Sequence, residues 1–153
     1  MNKNRKYWNE IAGDYQCSTY IATDDFHYGP VILGDRQLKI LPKKLKGLKC
    51  LEIACGSAQN SIYLAKKGAI CTAFDIAEMQ LAHGLQIIKN EKVEVKLHRF
   101  SMDGKWKELT GDFDLIHSMF GLSFSKNPAK LIKKVASFLK TGGAFIFSLE
   151  HPI

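Results

Sequence analysis

The sequence has no long hydrophobic run, no C-x-x-C pair and no G-K-[ST] tripeptide, and it spends only 4 prolines and 4 cysteines on 153 residues. Each absence removes a class of function. No stretch approaches the ~18 apolar residues of a membrane-spanning helix, and the charged start Met1-Asn2-Lys3-Asn4-Arg5-Lys6 has no apolar segment behind it, as an export signal would need. These features predict a cytoplasmic protein with no membrane partner. Cys17, Cys50, Cys55 and Cys71 lack metal-site or redox-motif spacing, and Cys50 and Cys71 lie within apolar strand-like runs, so they read as reduced, structural thiols. The 5 histidines, at 27, 83, 98, 117 and 151, fall without Cys/His or H-x-x-x-H spacing, which predicts no bound metal. Without G-K-[ST] a P-loop is excluded.

Basic residues are in excess, with a net charge of +7 and a pI near 9.2. The lysines come as short pairs, Lys43-Lys44, Lys66-Lys67 and Lys133-Lys134, on expected loops and helix exteriors. They are not interleaved with exposed aromatics along one face, so they read as solvated surface, with an acidic partner as the alternative and no nucleic acid expected. The length suits one domain, residues 1–153.

Hydrophobic periodicity divides the chain. Tyr7, Trp8, Ile11, Ala12 and Tyr15 fall on one helical face, predicting a helix from about Asn4 to Gln16. No period holds from Cys17 to Pro30, a segment long enough to fold over a site, and a short helix is expected from Leu33 to Leu41. These elements make an amino-terminal cap, residues 1–47. Strand and helix then alternate: strands over Leu48–Ala54, Ala69–Asp75, Val93–Leu97, Phe113–Met119 and Ala144–Leu149, with helices over Asn60–Lys67, Glu78–Lys89 and Asn127–Leu139. Such alternation closes as an open parallel α/β sheet with helices on both faces, and its ligand sits at the carboxyl ends of the strands.

The unusual residues collect at those ends. The run Leu51-Glu52-Ile53-Ala54-Cys55-Gly56-Ser57-Ala58-Gln59-Asn60 reads as a strand, a small-residue turn and a helix start, and Phe74-Asp75-Ile76 as a second strand ending in a carboxylate. In a nucleotide site the turn's amides face the ligand and the acid takes the ribose hydroxyls. A dinucleotide fingerprint would need glycine where Gln59 stands, and Glu52 would repel a pyrophosphate. The pattern suits an adenosyl ligand with a cationic end.

These residues resemble the class I methyltransferases that use S-adenosylmethionine (SAM). The first and second motifs of that family are similar to 51–61 and to Ala73-Phe74-Asp75-Ile76-Ala77-Glu78-Met79-Gln80-Leu81. His27-Tyr28-Gly29-Pro30 resembles a lead-in of the UbiE-like small-molecule branch, and Leu139-Lys140-Thr141-Gly142-Gly143 the turn before strand five. The resemblance implies a Rossmann-like sheet and, as cofactor, SAM, with the methionine part backed by Ala54 to Ala58 near Glu52, Gly56 and Gln80. It also implies that Asp75 holds the ribose, Ile76, Met102 and Asp103 surround the adenine, Ser118 lies beneath the sulfonium, and Tyr15 and Tyr28 cover the site. The reaction implied is direct methyl transfer to a small molecule. His117, His151 and Tyr28 are the candidate bases, none assigned as catalytic.

Two departures qualify the resemblance. Ala54 and Ala58 stand where the family usually has glycine, and the sequence stops after strand five, lacking the usual C-terminal antiparallel strand pair. An uncovered strand Ala144-Phe145-Ile146-Phe147 is expected to pair with another chain, which predicts either a homodimer or a fragment of a longer protein or split gene. A catalytically incomplete SAM-binding module and a nucleotide-dependent oxidoreductase are the alternative functions.

Overall fold

The computed structural model describes residues 2–151, so Met1, Pro152 and Ile153 of the expected domain lie outside it. Among the described residues five α-helices and five strands follow in the expected order, with one 3-10 turn at Leu122–Phe124: α1 Lys3–Thr19, α2 Asp35–Leu38, β1 Lys49–Ile53, α3 Gln59–Lys66, β2 Ile70–Asp75, α4 Glu78–Glu91, β3 Val95–Arg99, β4 Phe113–Met119, α5 Pro128–Phe138 and β5 Leu139–Ser148. The sheet is parallel throughout in the order β3-β2-β1-β4-β5. The chain works outward from β1 and then returns to its other side. That reversal, between β1 and β4, is where an open α/β sheet leaves a crevice for a ligand.

Side-chain alternation along the strands builds two cores. Cys50, Cys71, Ala73 and Leu115 pack with Ile62 and Leu64 of α3 and Leu81 of α4 on one face. Leu51, Ile53, Phe74 and Ile116 pack with Leu131 and Val135 of α5 on the other, where Trp106 from the β3–β4 connection fills the space. Trp106 is 4% exposed, and Lys134 lies 4.2 Å from its ring centroid while donating to the carbonyls of Met102 and Gly104.

Three local expectations are corrected. α1 runs on to Thr19, absorbing the start of the segment expected to be irregular. The Leu33–Leu41 helix shrinks to one turn, because the Asp35 carboxylate accepts the N–H groups of Ile40 and Leu41 and so closes the chain on itself. The Gly142 turn does not separate helix from strand but lies inside β5. Pairing passes from Phe113 with Leu139 to Leu115 with Ala144, and the intervening residues bulge out with Gly142 at φ 81°.

The cap joins the core through Phe26, which is wholly buried against Tyr28, Tyr63 and His117, at centroid distances of 5.1, 6.5 and 5.1 Å. Phe26→Ala is expected to cost about 3–5 kcal/mol, because the cavity is walled by strand and helix that cannot both collapse into it. Urea denaturation measures this, and a loss below about 1 kcal/mol would show that the cap is not part of the cooperative core.

Candidate functional site

β1 ends in a turn whose backbone is wound left-handed at Ala54, Gly56 and Ala58, with φ of 54°, 54° and 59°. Glycine accommodates this freely, whereas each alanine costs about 1 kcal/mol. Three amides of the turn are already committed within the protein. Cys55 N–H donates to the Phe74 carbonyl, Gly56 N–H to Asp75 Oδ2 at 2.9 Å, and Ala58 N–H to the Cys55 carbonyl. The expectation that the turn's amides face a ligand is therefore corrected at these three positions.

Asp75, 8% exposed, fastens the turn to β2 and also receives the Ala77 N–H on Oδ1 at 2.8 Å. Burial raises its pKa and these amides oppose the rise. A carboxylate has about four acceptor positions, so capacity remains for a ligand. Glu52 does similar work from β1. Its Oε2 accepts the Ser61 N–H at 3.0 Å and the Ser61 hydroxyl at 2.5 Å, supplying the N-terminal cap that Ala58 cannot give α3. Desolvation still pushes its pKa up to about 7. Its Oε1 lies 4.0 Å from His117 Nδ1, but burial holds His117 neutral, down to about 3, so the two do not form an ion pair.

Above the turn lies a cleft of about 490 Å³, and beside it a narrower slot of about 50 Å³. Both are bordered by Trp8, Ala54, Asp75 and Phe124. The larger cleft presents the carboxylates Glu52, Asp75 and Glu150 with the rings of Trp8, Tyr15, Phe120 and Phe124. Among the described residues no lysine or arginine lines it, in a chain of net charge +7. Such a cleft disfavours polyphosphate and favours a cation, by charge and by cation–π attraction. The slot offers Ile76, Phe100 and Met102 as apolar walls, with Asp103 at its edge.

α1 roofs the cleft through polar contacts, with Ala12 its only buried residue among those described. Arg5 makes a two-pronged ion pair to Glu78 at 2.9 and 2.5 Å, and Asn9 Oδ1 accepts the Met79 N–H at the start of α4. Gln16 accepts from Gln59 Nε2 and donates to Gln80 Oε1, both at 2.8 Å. Gln80 also receives the Ser57 hydroxyl, so one amide network joins roof, turn and both flanking helices.

Residues 26–150 match the family model described as a methyltransferase domain. The chain belongs to the class I SAM-dependent methyltransferase family. It is 30% identical over 105 residues to a ubiquinone biosynthesis O-methyltransferase of Azotobacter vinelandii, across 69% of this chain and 45% of that protein. A protein of the same name from Coxiella burnetii is 34% identical over 107 residues, across 68% of this chain and 44% of the relative. The chain thus spans a little under half the length of these relatives. The crystal structure of a SAM-dependent methyltransferase from Mesorhizobium loti superposes with a TM-score of 0.66 at 27% identity, over 74% of this chain and 51% of that one. A [4+2]-cyclase, SpnF, shares the fold with a TM-score of 0.73 at 16% identity, over 94% of this chain and 58% of that one. The fold alone therefore does not fix the reaction.

In this methyltransferase domain the structure brings Tyr15, Glu52, Ala54, Gly56, Asp75 and Gln80 to the larger cleft and Ile76, Met102 and Asp103 to the slot. Two expected residues line neither space. Ser118 is fully buried and donates to the Ile53 carbonyl at 2.8 Å, tying the tips of β4 and β1 together below the cleft floor. Tyr28 is buried beside Phe26 and donates its hydroxyl to Asp35 at 2.6 Å, so it fastens the cap rather than covering the cleft. Asp103 is partly committed too, accepting from the Ser125 hydroxyl and the Lys126 N–H.

Among the base candidates His117 is sealed in the core and His151 is exposed, and neither lines the cleft. His27 does line it, held neutral by burial, which brings its pKa down to about 4, with its backbone N–H and carbonyl both gripped by the Asn60 side chain. The sequence reading missed His27, Trp8, Gln16, Phe120 and Phe124 as lining residues. Two of these left a signal: Trp8 by its place on the apolar face of α1, and His27 by opening the His27-Tyr28-Gly29-Pro30 lead-in.

Glu52 generates a stability test. Its folded pKa of about 7 exceeds the ordinary 4.5, so the folded state favours the protonated acid and stability falls as pH rises from 4.5 through about 7. Glu52→Gln removes that loss, on the order of 3 kcal/mol. Thermal melts should show the variant more stable than the parent at pH 8, with the difference shrinking by pH 5. An equal difference at both pH values would contradict the assignment.

Proposed function

We propose that this chain binds SAM in the acidic, aromatic cleft and transfers its methyl group to a small-molecule acceptor. The observation that carries the reading is the cleft without a cation in a basic protein. When bound, SAM supplies an electrophilic methyl on a sulfonium. The residues present suit it: Glu52, 4% exposed, keeps one oxygen without a hydrogen bond in the described structure and answers a positive charge, and Asp75 can accept the ribose hydroxyls while holding the turn. Ile76, Phe100 and Met102 offer apolar contact to adenine, with Asp103 at its edge.

Trp8, Tyr15 and Phe124 give the cleft aromatic walls against which a donor and an acceptor can be held, and positioning of this kind can supply most of the rate of a displacement on an activated carbon. His27, neutral and facing the same space, can accept a hydrogen bond from the acceptor. An acceptor small enough to enter the cleft is supported over nucleic acid, whose phosphates would meet Glu52 and Glu150 without a balancing cation. The four unpaired thiols, Cys17, Cys50, Cys55 and Cys71, are consistent with a reducing, cytoplasmic setting.

Calorimetric titration with SAM, its demethylated product and NAD tests the reading. SAM and its product should bind and NAD should not; binding of NAD alone would favour an oxidoreductase. Asp75→Ala should weaken SAM by at least tenfold, on the order of 1.5–3 kcal/mol, through loss of charge-assisted bonds and of the clamp on Gly56. Unchanged affinity would put the ribose elsewhere.

A second reading, a SAM-binding module completed by another chain, is favoured by β5, an edge strand with Phe147 at 45% exposure and Leu149, just beyond its end, at 46%. It proposes a homodimer through that edge. Sedimentation velocity should then show self-association that Phe147→Lys abolishes, and a monomer at all concentrations would dismiss it.

A further inference from the structure

Residues 31–40 present an apolar surface where a connecting segment ordinarily carries polar side chains. Val31, Ile32, Leu33, Leu38 and Ile40 are 108%, 43%, 56%, 38% and 51% exposed, and none belongs to either core. The segment is nonetheless firmly based. Asp35 accepts the Tyr28 hydroxyl and the N–H groups of Ile40 and Leu41, its own N–H donates to the Phe26 carbonyl, and Asp25 accepts the Arg36 N–H. The aliphatic side chains therefore stand on a platform pinned to buried Phe26, Tyr28 and Leu41. At its tip Val31 holds φ 55°, a conformation that glycine or asparagine adopts far more readily than a β-branched residue.

Charge completes the pattern. Asp25 and Asp35 are turned inward by these bonds, and Asp24 is paired with Arg36 at 3.0 Å. Lys39, Lys43 and Lys44 stay exposed and, among the described residues, make no ion pair. We propose that this loop docks on an anionic lipid bilayer, with its aliphatic side chains entering the acyl boundary and Lys39, Lys43 and Lys44 lying against the headgroups. This is peripheral contact: among the described residues no helix is long and apolar enough to cross a membrane.

Three features favour a bilayer as occupant. Val31 projects from a convex tip, which a protein partner must match with a complementary hollow but a bilayer accepts in any shape. A second copy meeting the same patch would set its lysines against their counterparts. Nucleic acid would gain nothing from five aliphatic side chains, whereas lysine beside aliphatic residues is the composition of interfacial anchors. Pro30, immediately before the tip, lines the cleft together with His27, so a docked bilayer would lie at the cleft mouth. The proposal departs from the sequence-based expectation of no membrane partner, which rested on the absence of a spanning segment and an export signal; this surface becomes visible only with the exposures.

Flotation of the full chain with phosphatidylcholine vesicles, with and without phosphatidylglycerol, tests the proposal. Binding is expected to the phosphatidylglycerol vesicles and to weaken as salt is raised. Ile32→Asp with Leu33→Asp should reduce the bound fraction at least tenfold, and so should Lys39→Glu with Lys43→Glu and Lys44→Glu, both without lowering the melting temperature. No binding to phosphatidylglycerol vesicles, or binding that either set of substitutions leaves intact, would overturn it. So would sedimentation showing that the aspartate variant loses self-association while the parent ignores vesicles, since the patch would then serve a second copy.

Discussion

Glu52 sits where β1, β4 and α3 meet, and a closed circuit of contacts runs through it. Its carboxylate caps α3 at Ser61; the preceding residue, Asn60, grips the backbone of His27; the neighbouring Phe26 packs on His117; and His117 lies opposite Glu52 in the β1–β4 register. Glu52, Asn60, Ser61, Phe26 and His117 are buried, so the contacts among them cannot be exchanged for water when another fails, and His27 carries the circuit to the cleft wall. An ionised carboxylate is costly there, and the two bonds from Ser61 offset only part of that cost, which is why the acid titrates near neutrality. What destabilises the fold at this position is what a cationic ligand can use.

The turn depends on the same economy of space. Asp75 holds Gly56 from β2, and α4 approaches so closely that a Cβ on Gly84 would lie 3.0 Å from the Ser57 carbonyl oxygen. Between these constraints the backbone adopts its left-handed path even with alanine at 54 and 58. α1, by contrast, rests on the site through the Arg5–Glu78 pair and the glutamine network, with little buried apolar area. Contacts of that kind open at low cost compared with core packing, which suits a roof that must admit a ligand.

The layout of the sheet was legible because period-two and helical patterns alternate cleanly from Leu48 onward, and because Asp75 stands where an apolar strand ends. The family resemblance named SAM, and the cleft's charge agrees with it. What could not be read was orientation. Successive strand residues face opposite sides, so His117 turns toward Phe26 and Ser118 toward the other face, and the run His117-Ser118-Met119 does not say which is which. Tyr28 was misplaced because its path depends on Asp35, seven residues away, and on Asn60, whose grip on His27 is a long-range contact. Gln59, weighed only as a missing glycine, proves to be a link to α1. Trp8 was placed only on an apolar helical face, and the surface against which it lies is the cleft.

The central claim is that Glu52 answers the positive charge of the ligand. At pH near 7 this carboxyl is partly protonated, so binding a cation must shift it toward the ionised form and release protons. Titration of SAM into the chain near pH 7, in buffers of different ionisation enthalpy, measures that release directly. The account predicts net proton release that disappears in Glu52→Gln. SAM binding with no proton release in the parent, or with the same release in the variant, would contradict it.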